Sequence, residues 1–215
     1  MATKKRNQVK KKVTFSDDNT MVRQTHRKKN VGHEHPPVYV RKNIMIIPWH
    51  LLVLLYWYLY VALDYPTDKL LYALIPTQLL YLIFQFNQYT VYGNKIIKLN
   101  VPLVFISMGC TILLSIPALV LIILFGAPFL EKLKESLLLA LHCCFLAYPA
   151  MYSVFNCDFK VGLWKKYFIT IVVGAWLSCV VIPLDWDRPW QAWPVPAIVG
   201  SYLGAFVGYT IGSYI

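Results

Sequence analysis

The chain has 215 residues, of which 58% are hydrophobic and only 14% are charged. Soluble domains contain about 25% charged residues, so this composition excludes an ordinary soluble protein and favours a membrane protein. The net charge of +11 suggests a nucleic-acid binder, but most of the excess lies in residues 1–43, and no nucleic-acid-binding motif is present. We therefore predict no nucleic-acid partner.

The chain begins with a basic segment, residues 1–43, that contains few apolar side chains. Such a segment cannot bury enough surface to fold, so we predict a disordered arm on the cytosolic side. Residues 12–18 combine a Lys-Val-x-Phe pattern, similar to a phosphatase-docking peptide, with Ser16 ahead of two acidic residues, which suits an acidophilic kinase. The alternative role of the arm is electrostatic attraction to anionic lipids.

Six stretches without any Asp, Glu, Lys or Arg follow the arm. A hydrocarbon core of about 30 Å needs about 20 helical residues, and five of the stretches meet that length easily. The second stretch is the shortest and contains Gln78 and Gln85. We predict an all-α fold, a bundle of about six transmembrane helices over residues 44–215. The predicted spans are residues 44–63, 70–86, 101–125, 136–155, 167–184 and 196–215.

Prolines fall inside three of these spans, at Pro76, Pro117 and Pro149. Each proline removes a backbone donor, so we predict a kink in each of the three helices. Because neighbouring helices must cover the carbonyl groups that a kink releases, we expect a compact bundle.

The basic residues of the connections predict the orientation of the bundle. The arm and the connections after the second and fourth spans contain 17 Lys and Arg residues, whereas the other connections contain four. We therefore expect both termini to be cytosolic and the connections 64–69, 126–135 and 185–195 to face the lumen or exterior. These three connections hold only 27 residues, too few for a catalytic domain.

The last span contains glycine at every fourth position, at Gly200, Gly204, Gly208 and Gly212. Glycines at this spacing form a flat face that the backbone of another helix can approach closely. We predict a helix-packing face whose partner is a helix of this chain or of another protein. A lipid lying in the groove is the alternative.

The connection before the last span has the most distinctive polar sequence. Tryptophans at a membrane edge are first of all interfacial anchors. The Asp-x-Asp pair could bind a divalent metal, but only with further ligands. The arginine could pair bidentately with a phosphate. A salt bridge or a helix cap is the simpler role for the arginine. The candidate lumenal contacts to a lipid or partner protein are Asp185, Trp186, Asp187, Arg188, Trp190 and Trp193.

No catalytic motif and no metal-ligand spacing of His, Cys, Asp or Glu occurs in the sequence. We therefore predict no catalytic residue, no metal and no cofactor. His50 and His142 lie within predicted spans, where a polar residue is a candidate functional group. Because His142 has no acidic residue or second histidine near it in sequence, a packed or hydrogen-bonded histidine is the simpler interpretation.

Several segments resemble one known family. Residues 173–194, with Ile-Pro-Leu-Asp-Trp-Asp-Arg-Pro-Trp-Gln-Ala-Trp-Pro, resemble the signature of the PIG-F family of glycosylphosphatidylinositol (GPI) biosynthesis proteins. Phe-Gly-Ala-Pro at residues 125–128 resembles a second landmark of that family. Residues 14–18, 91–95 and 155–164 are similar to its yeast branch. The resemblance covers nearly the whole chain, although the basic clusters of the arm match the wider family poorly.

The resemblance implies a multi-pass protein of the endoplasmic reticulum membrane. It implies association with large catalytic transferases, which move phosphoethanolamine from phosphatidylethanolamine to mannoses of the GPI precursor on the lumenal side. The implied role is a noncatalytic subunit that stabilises or assists such a transferase, in contact with membrane lipids. The family offers no catalytic residues to transfer to this chain.

Two other functions remain open at this point. The first is a lipid transporter or scramblase that supplies phosphatidylethanolamine or a GPI intermediate. Such proteins often contain internal repeats and buried ionisable groups, and the predicted spans contain no acidic or basic residue. The second is an enzyme in its own right, for which Asp185, Asp187 and Arg188 are the only candidate site.

Overall fold

The computed structural model describes residues 38–62, 64–92, 95–157 and 163–214. Residues 36–215 belong to one compact unit, and most of its described residues are helical. Most of the predicted disordered arm, residues 1–37, lies outside the described residues, and so do the kinase and phosphatase patterns within it.

Helices occupy every one of the six predicted spans. The helices are α1 (Trp49–Tyr56), α2 (Thr67–Gln88), α3 (Val101–Leu124), α4 (Leu133–Leu146), α5 (Tyr148–Cys157), α6 (Leu163–Ser178) and α7 (Val195–Tyr214). Helix α1 continues as a π-helical turn to Val61, and α6 continues as a 3-10 turn to Val181. A further 3-10 turn, Pro189–Gln191, precedes α7.

By length and composition, three of the described helices can each cross a membrane: α2, α3 and Val195–Gly212 of α7. Helices α4 and α5 form a fourth candidate span as a bent pair. The apolar helix Trp49–Val61 is shorter, and α6 has 16 residues. The prediction of an apolar, mainly helical bundle is therefore confirmed, whereas the count of six spans stays a prediction.

The fourth predicted span, residues 136–155, is broken in the middle. Helix α4 ends at Leu146, α5 begins at Tyr148, and the two axes are bent by 49°. Pro149 explains the break, because a residue without an N–H fits the first turn of a new helix better than a helix interior. The Tyr209 hydroxyl donates to the Leu146 carbonyl at 2.6 Å and so covers an acceptor at the break.

The other two prolines behave differently, because α2 and α3 continue through Pro76 and Pro117 without a break. In α2 the Thr77 hydroxyl donates to the carbonyls of Ala73 and Leu74, both at 2.9 Å. These bonds add to the hydrogen bonding of the turn before Pro76, although the carbonyl that the missing Pro76 N–H would bond is that of Tyr72.

The C-terminal end of α3 shows why the Phe-Gly-Ala-Pro segment needs its glycine. Gly126 has a φ of 101°, in the left-handed region that favours glycine. The Gly126 N–H donates to the Ile123 carbonyl at 3.0 Å, and the Ala127 N–H donates to the Ile122 carbonyl at 3.2 Å. The segment therefore terminates α3 by satisfying its last carbonyl groups.

A small antiparallel sheet at one end of the unit was not predicted. Strand β1 (Val38–Val40) pairs with β2 (Thr90–Tyr92), which pairs with β3 (Lys95–Ile96). The strands contain β-branched and aromatic residues that favour sheets, but they are too short to show an alternating pattern. Because β1 falls within residues 1–43, the end of the predicted disordered arm has regular structure.

Polar contacts join the helix ends at the end of the unit opposite the sheet. The Tyr58 hydroxyl lies 3.2 Å from that of Thr67, at the start of α2, and His142 of α4 bonds the Thr67 carbonyl at 3.0 Å. The Trp193 indole N–H, before α7, donates to the Ser136 hydroxyl of α4 at 3.1 Å. The C-terminal end of α1 therefore lies beside the N-terminal end of α2, which contacts the second half of α4, and the N-terminal ends of α4 and α7 lie together.

Candidate functional site at the tryptophan loop

The connection between α6 and α7, residues 182–194, is called the tryptophan loop below. Its conformation depends on the side chain of Gln191, which is 7% exposed. The Gln191 amide donates to the carbonyls of Val181 and Leu184 at 2.9 and 2.8 Å, and accepts from the Arg188 N–H at 2.9 Å. One amide thus satisfies three backbone groups across the loop, which fixes its shape.

Two tryptophans of the loop belong to the bundle. Trp190 and Trp193 are partly buried and pack against the main hydrophobic core. Trp193 also bonds the fully buried Ser136, as described above. Both rings therefore attach the loop to the helix bundle, whereas their predicted role as interfacial anchors or as contacts to a lipid or partner protein stays a prediction.

The other four predicted contact residues form an exposed group, called the loop cluster below: Asp185, Trp186, Asp187 and Arg188. The Trp186 side chain is 54% exposed, and its ring centroid lies 5.8 Å from that of Trp190. Asp187 has a φ of 45°, a left-handed conformation that aspartate tolerates better than most residues. The loop cluster thus presents one aromatic ring, two carboxylates and one guanidinium to the surroundings.

The two carboxylates of the loop cluster do not form part of a larger ligand group. Throughout the described ranges, no three His, Cys, Asp or Glu side chains come together in a way that could hold a metal ion. The loop cluster can make charge-assisted contacts, because a guanidinium pairs with a phosphate or carboxylate and a carboxylate pairs with a cationic group.

Removal of the Gln191 amide is expected to loosen the loop. In Gln191→Leu the three backbone groups lose their partner, so hydrogen–deuterium exchange at residues 182–190 should rise well above wild type. Gln88→Leu, an exposed amide at the end of α2, is the matched control and should leave this exchange unchanged. Equal exchange in Gln191→Leu and wild type would show that the amide does not hold the loop.

The glycine face of α7 lies against α6 of the same chain. A Cβ built on Gly200 would overlap the Gly174 carbonyl oxygen and the Ser178 hydroxyl, and one on Gly204 would overlap the Thr170 carbonyl oxygen. Glycine is therefore required at these positions because the two backbones are in contact.

The contact continues to the end of α7 that lies near the sheet. A Cβ on Gly208 would overlap the Thr170 hydroxyl, and one on Gly212 would lie 2.6 Å from the Tyr167 ring. Since α6 occupies the face along its whole length, neither a lipid nor a helix of another protein has room on it.

The residues of α6 that face these glycines were missed in the sequence. Thr170, Gly174 and Ser178 are themselves small and stand at every fourth position, which matches the spacing of the glycines in α7. Two small-residue patterns in neighbouring predicted spans indicate that the two helices pack together. Comparing the two patterns would have identified the partner helix.

The two histidines within the bundle have different environments. His142 is fully buried, and its Nε2 bonds the Thr67 carbonyl while its Nδ1 lies 3.1 Å from the Tyr202 hydroxyl. The prediction of a hydrogen-bonded histidine is thus confirmed for His142. The Nε2 of His50 bonds no described residue, although its ring packs on Tyr81 with centroids 5.0 Å apart.

The apolar helices, their buried polar contacts and the surface loop define a helical membrane protein. The PIG-F family model, described as GPI biosynthesis protein family Pig-F, matches residues 46–213, and the chain belongs to this family. The resemblance seen in the sequence is thereby confirmed.

Curated relatives match the chain over its whole length. Glycosylphosphatidylinositol anchor biosynthesis protein 11 of Saccharomyces cerevisiae is 64% identical over 219 residues, covering 100% of both chains. Proteins of the same name from Kluyveromyces lactis and Candida glabrata are each 61% identical over 218 residues, again covering 100% of both chains. No solved structure matches the chain.

Proposed function

We propose that this protein is a noncatalytic subunit of the endoplasmic reticulum membrane that supports ethanolamine-phosphate transfer to mannoses of the GPI precursor. Its relatives are named for GPI anchor biosynthesis, and the proposal narrows that role to assisting a large catalytic transferase. The observation that carries it is the loop cluster, an exposed charged and aromatic surface on a loop fixed by Gln191.

The composition of the loop cluster suits binding better than catalysis. Metal-assisted phosphoryl transfer needs several ligands held on a scaffold, whereas the loop cluster offers Asp185 and Asp187 in an exposed loop. The three connections predicted to be lumenal hold only 27 residues. A partner with its own lumenal domain would supply the reaction centre, and this protein would hold or orient that partner.

The proposal includes six membrane crossings with both termini in the cytosol, which puts the tryptophan loop in the lumen. The pairing of β1 with β2 supports this arrangement, because it joins the arm to the connection after α2, and both are predicted to be cytosolic. At the opposite end, the contact between Trp193 and Ser136 joins helix ends that are both predicted to be lumenal. Segments in contact must lie on the same side of the membrane.

Exposed aromatic residues support a membrane surface near the tryptophan loop. Tyr and Trp concentrate at the interface between lipid and water. Several aromatic side chains near the loop end of the helices are more than half exposed, and they are Tyr56, Tyr60, Tyr72, Trp176 and Trp186. In this position the loop cluster can contact both the lipid headgroups and the membrane-proximal part of the transferase's lumenal domain.

Analysis of GPI precursors in depleted cells tests the proposed function. We expect depleted cells to accumulate precursors without ethanolamine phosphate on their mannoses, and the wild-type protein to restore the normal precursors. A loop variant with Asp185→Asn, Trp186→Ala, Asp187→Asn and Arg188→Gln should fail to restore them although it reaches the membrane in normal amounts.

The matched control changes other exposed charges that are also predicted to be lumenal. Glu131→Gln combined with Lys134→Gln should restore normal precursors, because those residues lie outside the loop cluster. Normal precursors in depleted cells, or full activity of the loop variant, would contradict the proposal.

A further inference from the structure

The connection between α3 and α4 has large apolar side chains on its surface. Leu124, Phe125, Phe129 and Leu130 are each more than half exposed, and Leu130 is 89% exposed. These four residues are called the apolar patch below. Single exposed apolar residues are ordinary, but several together indicate a surface that another molecule covers. The apolar patch shares no residue with the loop cluster.

The backbone of the apolar patch excludes a position within the hydrocarbon core. Residues 125–132 are not helical, and the N–H groups of Phe129 and Leu130 bond to no residue that the structure describes. An irregular segment with unpaired backbone groups is not stable among acyl chains. Glu131 follows the patch directly and is exposed. The apolar patch therefore lies at the level of the headgroups or of water.

The length of α3 leads to the same position. Its 24 residues extend about 36 Å at about 1.5 Å per residue, whereas the hydrocarbon core is about 30 Å thick. Lys98 is exposed between β3 and the start of α3, which puts that end of the helix at the membrane boundary. The other end, with the apolar patch, then extends beyond the hydrocarbon core.

No other part of the described chain covers the apolar patch, as the exposure of Leu130 shows. Residues 1–37 join the unit through β1, which pairs with β2 at the opposite end of the bundle. In the proposed membrane arrangement that end is cytosolic, and the apolar patch is lumenal. The cover must therefore be a second molecule on the lumenal side.

A protein fits the apolar patch better than the membrane surface does. Attraction to anionic headgroups needs an excess of basic residues, but residues 131–135, next to the patch, contain two Glu and two Lys and have no net charge. The patch itself consists of two phenylalanines and two leucines. An apolar composition that includes aromatic residues is typical of the buried centre of a protein–protein interface.

The tryptophan loop lies at the same end of the bundle as the apolar patch. Ser136, in the first turn of α4, bonds Trp193 at the end of the loop. Only residues 131 and 132 separate the patch from the start of α4. One partner on the lumenal side can therefore contact the apolar patch and the loop cluster together.

We propose that the apolar patch docks an apolar surface on the membrane-proximal part of the partner's lumenal domain, with Phe129 and Leu130 as the central contacts. The inference rests on the proposed function, because it takes the partner and the membrane arrangement from there. It adds a second contact surface of a different kind. The loop cluster offers charge-assisted contacts, whereas the apolar patch offers the burial of apolar side chains, which is the main driving force of most protein association.

Photo-crosslinking in intact membranes tests which molecule covers the apolar patch. A photoreactive amino acid in place of Leu130 should form a crosslink to the large ethanolamine-phosphate transferase, identified by mass spectrometry of the product. The same amino acid in place of Leu113, which is exposed on α3 within the predicted span, should label lipid instead. Crosslinks from position 130 to lipid only, as expected for a patch that lies on the membrane surface, would overturn the proposal.

Truncation of the central side chains tests their contribution to binding. Phe129→Ala combined with Leu130→Ala should reduce the transferase that co-purifies in mild detergent at least about tenfold. Phe105→Ala combined with Leu113→Ala removes the same side chains from the exposed face of α3 and should keep the wild-type amount. Full co-purification with the patch variant, while the loop variant loses the transferase, would overturn this inference alone. A wild-type preparation without the transferase would overturn the proposed function and this inference with it.

Discussion

Replacing Gly204 with leucine is expected to separate α6 from α7 and to remove most of the folded protein. A Cβ at this position overlaps the Thr170 carbonyl oxygen and lies 3.2 Å from the Ile171 Cα, so the obstacle is backbone. Overpacking costs about 1–3 kcal/mol even where flexible side chains can move aside. Fluorescence-detected size-exclusion chromatography of the solubilised protein should show a large loss of the monodisperse peak.

A second glycine within a helix is the control. Gly109 is exposed on α3, and a Cβ there meets nothing within 4 Å. Gly109→Leu should give the wild-type yield, because the side chain points into open space and leucine favours a helix over glycine. A Gly204→Leu protein as abundant and monodisperse as Gly109→Leu would show that close contact between α6 and α7 is not required.

Replacing His142 with phenylalanine is expected to have the second largest effect. The ring bonds the Thr67 carbonyl and the Tyr202 hydroxyl, at 3.0 and 3.1 Å, and so connects α4 to the start of α2 and to α7. Phenylalanine leaves both groups buried without this partner, at about 1–3 kcal/mol each. The unfolding temperature of the purified protein should therefore fall clearly below that of wild type.

The other histidine of the bundle provides the comparison. His50 packs its ring on Tyr81, and its Nε2 has no partner among the described side chains. His50→Phe keeps the ring contact and removes an unsatisfied polar atom, so its unfolding temperature should equal or exceed that of wild type. Similar losses in His142→Phe and His50→Phe would show that ring volume, and not hydrogen bonding, stabilises the bundle.

The helices were predictable because a long apolar segment has few other conformations in a lipid environment. Details that depend on tertiary contacts, such as whether a helix breaks at a proline, were not predictable. Pro76 and Pro149 are chemically identical, yet α2 continues through the first proline and the chain breaks before the second. Thr77 covers carbonyls next to Pro76 within the same helix, whereas Tyr209 reaches the break from α7. A contact from a distant helix has no local signal in the sequence.

In the tryptophan loop, too, the roles of single residues depend on tertiary contacts that the sequence does not show. Its sequence predicted a surface for lipid or protein contacts, but it could not separate Trp190 and Trp193, which pack inward, from the exposed Trp186. Gln191 was part of the quoted motif and had no predicted role, because its three backbone partners become neighbours only when the loop closes. The glycine face was predictable from the sequence, and the matching spacing of Thr170, Gly174 and Ser178 was a signal in the sequence for its partner helix α6.

The most direct test of the proposed subunit role is to identify the proteins that co-purify with this chain in a mild detergent. We expect a large ethanolamine-phosphate transferase in near-equal amount with the wild-type protein. We expect its loss from the loop variant with Asp185→Asn, Trp186→Ala, Asp187→Asn and Arg188→Gln. A wild-type preparation that is intact and contains no such transferase would contradict the subunit role.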